Sequence, residues 1–66
     1  MEIRFNKSLY SRAALESAIV DYQGLAVFVL REDENYFVVN LQDIDNEVVE
    51  RIEDEFANYV LVAMKN

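Results

Sequence analysis

Residues 25–41, LAVFVLREDENYFVVNL, constrain the fold most, because they place two apolar segments on either side of a short polar turn. The segments 25–31 and 36–41 are rich in valine, leucine and phenylalanine, and the turn REDEN ends at Asn35. Two such segments joined by so short a turn are typical of an antiparallel β-hairpin. The rest of the chain must then cover one face of a sheet.

The segment before the hairpin predicts a strand followed by a helix. Residues 2–6, EIRFN, alternate polar and apolar, as in a half-buried strand. Apolar residues then recur with helical spacing from Arg12 to about Tyr22. Ser8 and Ser11 are candidate N-caps of this helix. Gly24 marks its end, and we expect this glycine to adopt the left-handed conformation.

The segment after the hairpin predicts a long second helix that reaches about Met64. Asp43, Asp45 and Asn46 are alternative N-caps for it. Such a helix of about 20 residues would be about 30 Å long, whereas a six-residue strand covers about 20 Å. We therefore expect the last turns of the helix to extend beyond the sheet.

The element order β-α-β-β-α predicts one domain, residues 1–66, with an α+β fold. We expect a two-layer sandwich in which a three-stranded sheet carries both helices on one face. Two strand orders fit the pattern. In the first, 25–31 lies in the middle and the first crossover is a right-handed parallel βαβ unit. In the second, 36–41 lies in the middle and 25–31 is an exposed edge that can pair with another chain.

Two surfaces are predicted to contact a partner. The uncovered face of the sheet carries Tyr36, Val38 and one apolar row of the second strand, which is too apolar for a surface without a function. On the closing helix, four apolar residues lie outside the apolar stripe that faces the core. The predicted partner-binding residues are Tyr36, Val38, Ala57, Leu61, Val62 and Met64.

The composition argues against most kinds of catalytic site. The chain has no histidine and no cysteine, which removes the usual general base, thiolate metal ligands and disulfides. A single glycine rules out a glycine-rich phosphate loop. The acidic residues after the hairpin lack the glycine of a calcium loop, since Val48 stands at that position. We therefore expect no enzyme activity, no metal and no cofactor.

The charge indicates the kind of partner. Thirteen acidic against six basic residues give a net charge of −7, which repels nucleic acid and anionic lipid. The longest apolar runs fall far short of the roughly 20 residues that cross a membrane. The absence of cysteine fits a cytoplasmic location. We expect a protein or peptide partner. A homodimer is also possible, because self-association would stabilise so small a core.

Two motifs of the chain resemble a known family. FNKSLYSRAALESA (5–18) and EFANYVL (55–61) flank the hairpin, and together they resemble the small D component of bacterial His-Xaa-Ser repeat systems. The matching positions are Lys7, Ser8, Tyr10, Ser11, Ala14, Ala18, Glu55, Phe56, Asn58 and Leu61. The family's tail often carries an arginine after the leucines, whereas this chain has Lys65.

The resemblance implies an accessory component that is encoded beside radical-SAM enzymes and a repeat-bearing precursor peptide, with no catalytic residues to carry over. The first hypothesis is thus a non-catalytic module that binds a protein or peptide and assists radical-SAM peptide modification. A small sheet with an exposed edge or face suits this role, because an extended peptide binds by strand addition. The alternative is a self-associating regulatory or antitoxin-like protein whose dimer buries the helix tail.

Overall fold

The computed structural model describes residues 1–65 and shows three strands and two helices in an α+β arrangement. The predicted element order β-α-β-β-α and the two-layer fold are confirmed. The elements are β1 (Glu2–Asn6), α1 (Arg12–Tyr22), β2 (Val27–Glu32), β3 (Tyr36–Gln42) and α2 (Ile52–Met64).

The sheet has the order β1-β3-β2, and both outer strands pair antiparallel to β3. Of the two predicted orders, the one with 36–41 in the middle is therefore confirmed. The other order, with 25–31 in the middle and directly paired parallel strands, is wrong. The reason is that β3 is buried on both of its faces, with Phe37, Val38 and Val39 all buried in succession, whereas Val27 and Val29 of β2 are exposed.

The core lies between the sheet and the two helices. Ile3 and Phe5 of β1 pack there together with Phe37, Val39 and Leu41 of β3, so this face of the sheet is covered along β1 and β3. The helices contribute buried apolar residues to the same cluster, which places both of them on that face. The helical members of the buried cluster are Ala14, Leu15, Ala18, Ile52, Phe56 and Val60.

α1 begins and ends where its sequence predicts, but for partly different reasons. The Ser11 hydroxyl accepts a hydrogen bond from the Ala14 amide at 3.1 Å and caps the helix. Ser8 instead donates from its hydroxyl to the Asn6 side chain. Gly24 does not adopt a positive φ, so the expectation of a left-handed glycine is wrong. The chain leaves the helix through a tight turn in which the Leu25 amide donates to the Tyr22 carbonyl.

α2 is shorter than predicted because residues 47–51 form turns rather than helix. The Asp45 carboxylate accepts a hydrogen bond from the Glu47 amide, and the Asp45 amide donates to the Leu25 carbonyl. These bonds hold Asp45 in a local turn and tie it to the start of β2, so it does not cap a helix. Asp43 has a φ of 50°, which bends the chain away from β3.

The predicted extension of α2 beyond the sheet is also wrong. Its 13 residues correspond to a length of about 20 Å, which matches the strands beneath it. Phe56 in the second turn of α2 lies near rings from both outer strands, with centroid distances of 6.1 Å to Phe5 and 5.1 Å to Phe28. Ala63 in the last turn also packs against the core, so the end of the helix lies over the sheet rather than beyond it.

Candidate functional site

The outer edge of β2 is a candidate interaction site because four apolar residues stand in succession on it. Within residues 1–65, no strand pairs with this edge. Val27 and Val29 point to the uncovered face and are 50% and 43% exposed. Phe28 and Leu30 point to the core and are half-buried. A run of this kind on an edge strand favours pairing with another strand.

The register shows which backbone groups of β2 are free to pair. The Asp33 amide donates to the Tyr36 carbonyl at 2.9 Å, so this pair is hydrogen-bonded. Hydrogen-bonded and non-hydrogen-bonded pairs alternate along an antiparallel ladder, and the register runs unbroken along β2. Phe28, Leu30 and Glu32 therefore present their N–H and C=O groups to the outer edge rather than to β3.

The hairpin that carries this edge is fixed by its own turn. The Asp33 carboxylate accepts hydrogen bonds from the amides of Asn35 and Tyr36, at 2.9 and 2.8 Å. These two bonds hold the pKa of the Asp33 carboxyl below its usual value, and the nearby Arg4 acts in the same direction. These two bonds fix the turn that joins β2 to β3.

A cluster of charges surrounds the hairpin end of the sheet. Glu32 forms ion pairs with Lys7, at 2.7 Å, and with Arg12. The hydrogen bond from Lys7 lowers the pKa of the Glu32 carboxyl most. Lys7 and Ser8 line a shallow polar depression of about 590 Å³, but the ammonium of Lys7 is bound to Glu32 and the hydroxyl of Ser8 to Asn6. The Lys7–Ser8 pair is therefore not arranged as a nucleophile and its base.

Tyr36 and Val38 lie on the uncovered face of the sheet, as predicted, but differ in access. Tyr36 is half-buried, and the guanidinium of Arg4 stacks on its ring at 4.5 Å from the centroid. Val38 is only 7% exposed. Its cross-strand partners are Arg4 and Arg31, whose long side chains flank it on both sides. A partner would reach Tyr36 at its edge and would meet arginine side chains before it met Val38.

The four predicted residues of the helix tail do not form one patch. At about 100° per residue, Ala57, Leu61 and Met64 share one side of α2, and Val62 lies on the side that faces α1. Ala57 is half-buried against the core, whereas the other three are exposed. Val62 is the most exposed of the four, at 57%. Val62 lines a concave surface, the interhelical groove described next.

The interhelical groove consists of two adjoining depressions of about 360 and 320 Å³ that share Tyr59 and Val62. Its full lining is Ser17, Asp21, Tyr22, Glu55, Asn58, Tyr59, Val62 and Ala63. The Tyr59 hydroxyl donates to Asp21 Oδ2 at 2.5 Å, which raises the pKa of Tyr59. Burial, and then the charge of Glu55, raise the pKa of Tyr22. The sequence did not indicate this pairing of Asp21 with Tyr59, because it depends on how the helices pack.

Among residues 1–65 there is no group of three or more acidic side chains placed to hold a metal ion. None of the helices described is long and apolar enough to cross a membrane. Comparison with protein-family models, with curated proteins and with solved structures gives no match.

Proposed function

We propose that this protein is a non-catalytic binding module that takes up an extended, basic peptide as an additional strand along β2. The observation that carries the proposal is the outer edge of β2, where Phe28, Leu30 and Glu32 present unpaired backbone groups beside the exposed Val27 and Val29. Main-chain hydrogen bonds supply affinity in this mode of recognition, and alternate side chains supply specificity.

The other edge of the sheet is less suited to this role. On β1 the alternation leaves Glu2, Arg4 and Asn6 with outward backbone groups, and their side chains are all polar. Arg4 is further engaged with Tyr36 and with Asp33, at 3.7 Å. Charged side chains on an edge strand discourage pairing, so β2 is the favoured docking edge.

The net charge of −7 favours a basic peptide over a second copy of the chain. Two copies that approach each other carry the same charge and repel, whereas a basic peptide is attracted and its association is accelerated. A homodimer through β2 would form the same backbone hydrogen bonds without this electrostatic benefit. Sedimentation over a range of concentrations distinguishes the two, and a stable dimer would favour the self-associating alternative.

The resemblance to the D component of His-Xaa-Ser repeat systems supports a more specific role. In that setting the peptide would be the repeat-bearing precursor, and this cytoplasmic module would present it to a radical-SAM enzyme. Affinity capture from the native host tests this role. If neither such an enzyme nor such a peptide is retained, the accessory role is rejected, while peptide binding is still judged by direct titration.

Direct titration with backbone-modified peptides tests strand addition. We would titrate a short peptide of alternating lysine and valine and compare two N-methylated forms whose methyl groups are offset by one residue. Strand addition blocks only the form whose methyl groups face β2. Because each lost hydrogen bond costs about 1 kcal/mol net, that form should bind about tenfold more weakly or worse. Equal binding of the two forms would refute strand addition.

A pair of matched variants locates the peptide on the protein. Val29→Lys places a positive charge on the uncovered face beside the β2 edge, and Val20→Lys makes the same change on the outside of α1. Both valines are exposed, so both variants should fold. Only Val29→Lys should weaken binding of the basic peptide. If the two variants weaken it equally, the effect is one of net charge and the β2 site is wrong.

A further inference from the structure

The interhelical groove has the chemical features of a site for a cationic side chain. Aromatic residues form one wall of the groove and acidic residues form another. The groove lies in the helical layer rather than on the β2 edge. A ligand in this groove would therefore not contact the edge that strand addition uses.

The aromatic wall is held in place from two directions. The Tyr22 ring packs edge-on against the buried Phe56, with centroids 5.3 Å apart. The Tyr59 ring lies 5.2 Å from Tyr22, and its hydroxyl is bound to Asp21. A ring that is fixed before binding costs less entropy to order when a ligand stacks on it.

The acidic wall comes from both helices. Asp21 on α1 and Glu55 on α2 line the groove, and no residue that lines it is basic. Arg51 pairs with Glu55 at 3.3 Å, but both side chains are exposed and such i,i+4 pairs are weak. The raised pKa values of Tyr22 and Tyr59 follow in part from the same negative charges.

We propose that the interhelical groove binds an arginine side chain of a basic partner segment, with the guanidinium stacked on Tyr59 and donating to the carboxylate of Asp21. A planar guanidinium stacks on aromatic rings and donates several hydrogen bonds in its own plane. An ammonium group lacks the flat face and is more strongly hydrated, so lysine fits this groove less well. A purely apolar ligand would make no favourable contact with the carboxylates that line the groove. The exposed Val62 covers the aliphatic stem of the arginine.

Titration with three peptides tests the ligand chemistry. We would follow the amide resonances of the protein by NMR during titration with acetylated Gly-Arg-Gly-Arg-Gly, with its lysine analogue and with its uncharged citrulline analogue. The shifts of the groove residues should give an affinity for the arginine peptide about two- to fivefold higher than for the lysine peptide, which is the size expected for an exposed cation–π contact. The citrulline peptide should bind more weakly than both. Equal affinities for arginine and lysine would overturn the proposal.

Matched variants test the location. Asp21→Asn and Asp54→Asn remove the same charge, but Asp54 does not line the groove. Asp21→Asn should weaken binding of the arginine peptide, and Asp54→Asn should leave it unchanged within error. Tyr59→Leu should remove the preference for arginine over lysine. If Asp21→Asn and Asp54→Asn have equal effects, only the overall negative charge attracts the peptide and the groove is not a site. Neither outcome bears on β2, because Val29→Lys and the N-methylated peptides test that edge separately.

Discussion

Val60 and Val62 offer a matched test of the packing of α2, because they lie two residues apart on the same helix but only Val60 is buried. Val60 is 0% exposed, whereas Val62 is 57% exposed. Changing each to alanine removes the same two methyl groups. The gain in helix propensity is also the same for both, at about 0.5 kcal/mol. Any difference between the variants therefore reports burial.

The size of the difference follows from that burial. Loss of two fully buried methyl groups costs about 1.6 kcal/mol in transfer free energy, and the cavity left behind adds to this. After the gain in helix propensity, Val60→Ala should lower the free energy of unfolding by about 1–2 kcal/mol. At Val62 less than half of the side chain is covered, so the transfer loss of about 0.7 kcal/mol is nearly offset. Val62→Ala should thus lie within about 0.5 kcal/mol of the unmodified protein.

Urea unfolding followed by circular dichroism measures both values. With a slope of about 1 kcal/mol per molar urea for so small a domain, the midpoint should fall by about 1–2 M for Val60→Ala and by less than about 0.5 M for Val62→Ala. If the two midpoints fall equally, or if Val62→Ala is the more damaging, then the assigned rotation of α2 about its axis is wrong. The groove that contains Val62 would then have to be reassigned as well.

Two further predictions concern the backbone and the charges. Gly24 has no positive φ, and an added Cβ would meet nothing within 4 Å. Gly24→Ala should therefore stabilise the protein by about 0.4–1 kcal/mol, because it reduces the entropy of the unfolded chain. The thermal unfolding midpoint should rise, and a lower midpoint would contradict the conformation assigned to this turn. The carboxyls of Glu32 and Asp33 have lowered pKa values in the folded protein. Their contribution to the free energy of unfolding is therefore complete above their ordinary pKa values of 4.5 and 3.8. This contribution is lost as the pH falls through the lowered pKa values. The double variant Glu32→Gln, Asp33→Asn should flatten the loss of stability in acid, measured as the urea midpoint against pH, and an unchanged acid slope would assign that loss to other carboxyls.

The sequence predicts which strand residues face the core but not the order of the strands in the sheet. Alternation in 2–6 and 36–41 predicts which side chains face the core, and the structure confirms this for Ile3, Phe5 and Phe37. Alternation does not decide which strand lies in the middle, since the run of apolar residues in β2 fits a central strand as well as an unprotected edge. The position is settled by the pairing of β1 with β3, a contact between segments far apart in the sequence.

The start of α2 and the groove depend on tertiary contacts in the same way. Residues 43–51 have the acidic start of a helix, but the bond between the Asp45 amide and the Leu25 carbonyl holds the chain in a turn. The helical spacing of the tail separates Leu61 and Val62 from the core. It does not show that Val62 faces α1, because that depends on the angle at which two helices pack. The sequence pattern of α2 therefore could not predict the hydrogen bond between Tyr59 and Asp21.

The contrast between the two sheet edges is the strongest argument for a reserved binding surface. β1 carries a glutamate and an arginine among its outward-facing residues, which is how soluble proteins commonly protect an edge. β2 has no such protection over its first four residues, although an apolar edge strand promotes unwanted pairing. The net charge of −7 opposes the approach of a second copy of this chain and attracts a basic peptide. The outer edge of β2 thus lacks charged residues over its first four positions, and only the net charge of the chain opposes self-association. This combination supports the proposal that the edge binds a partner of opposite charge.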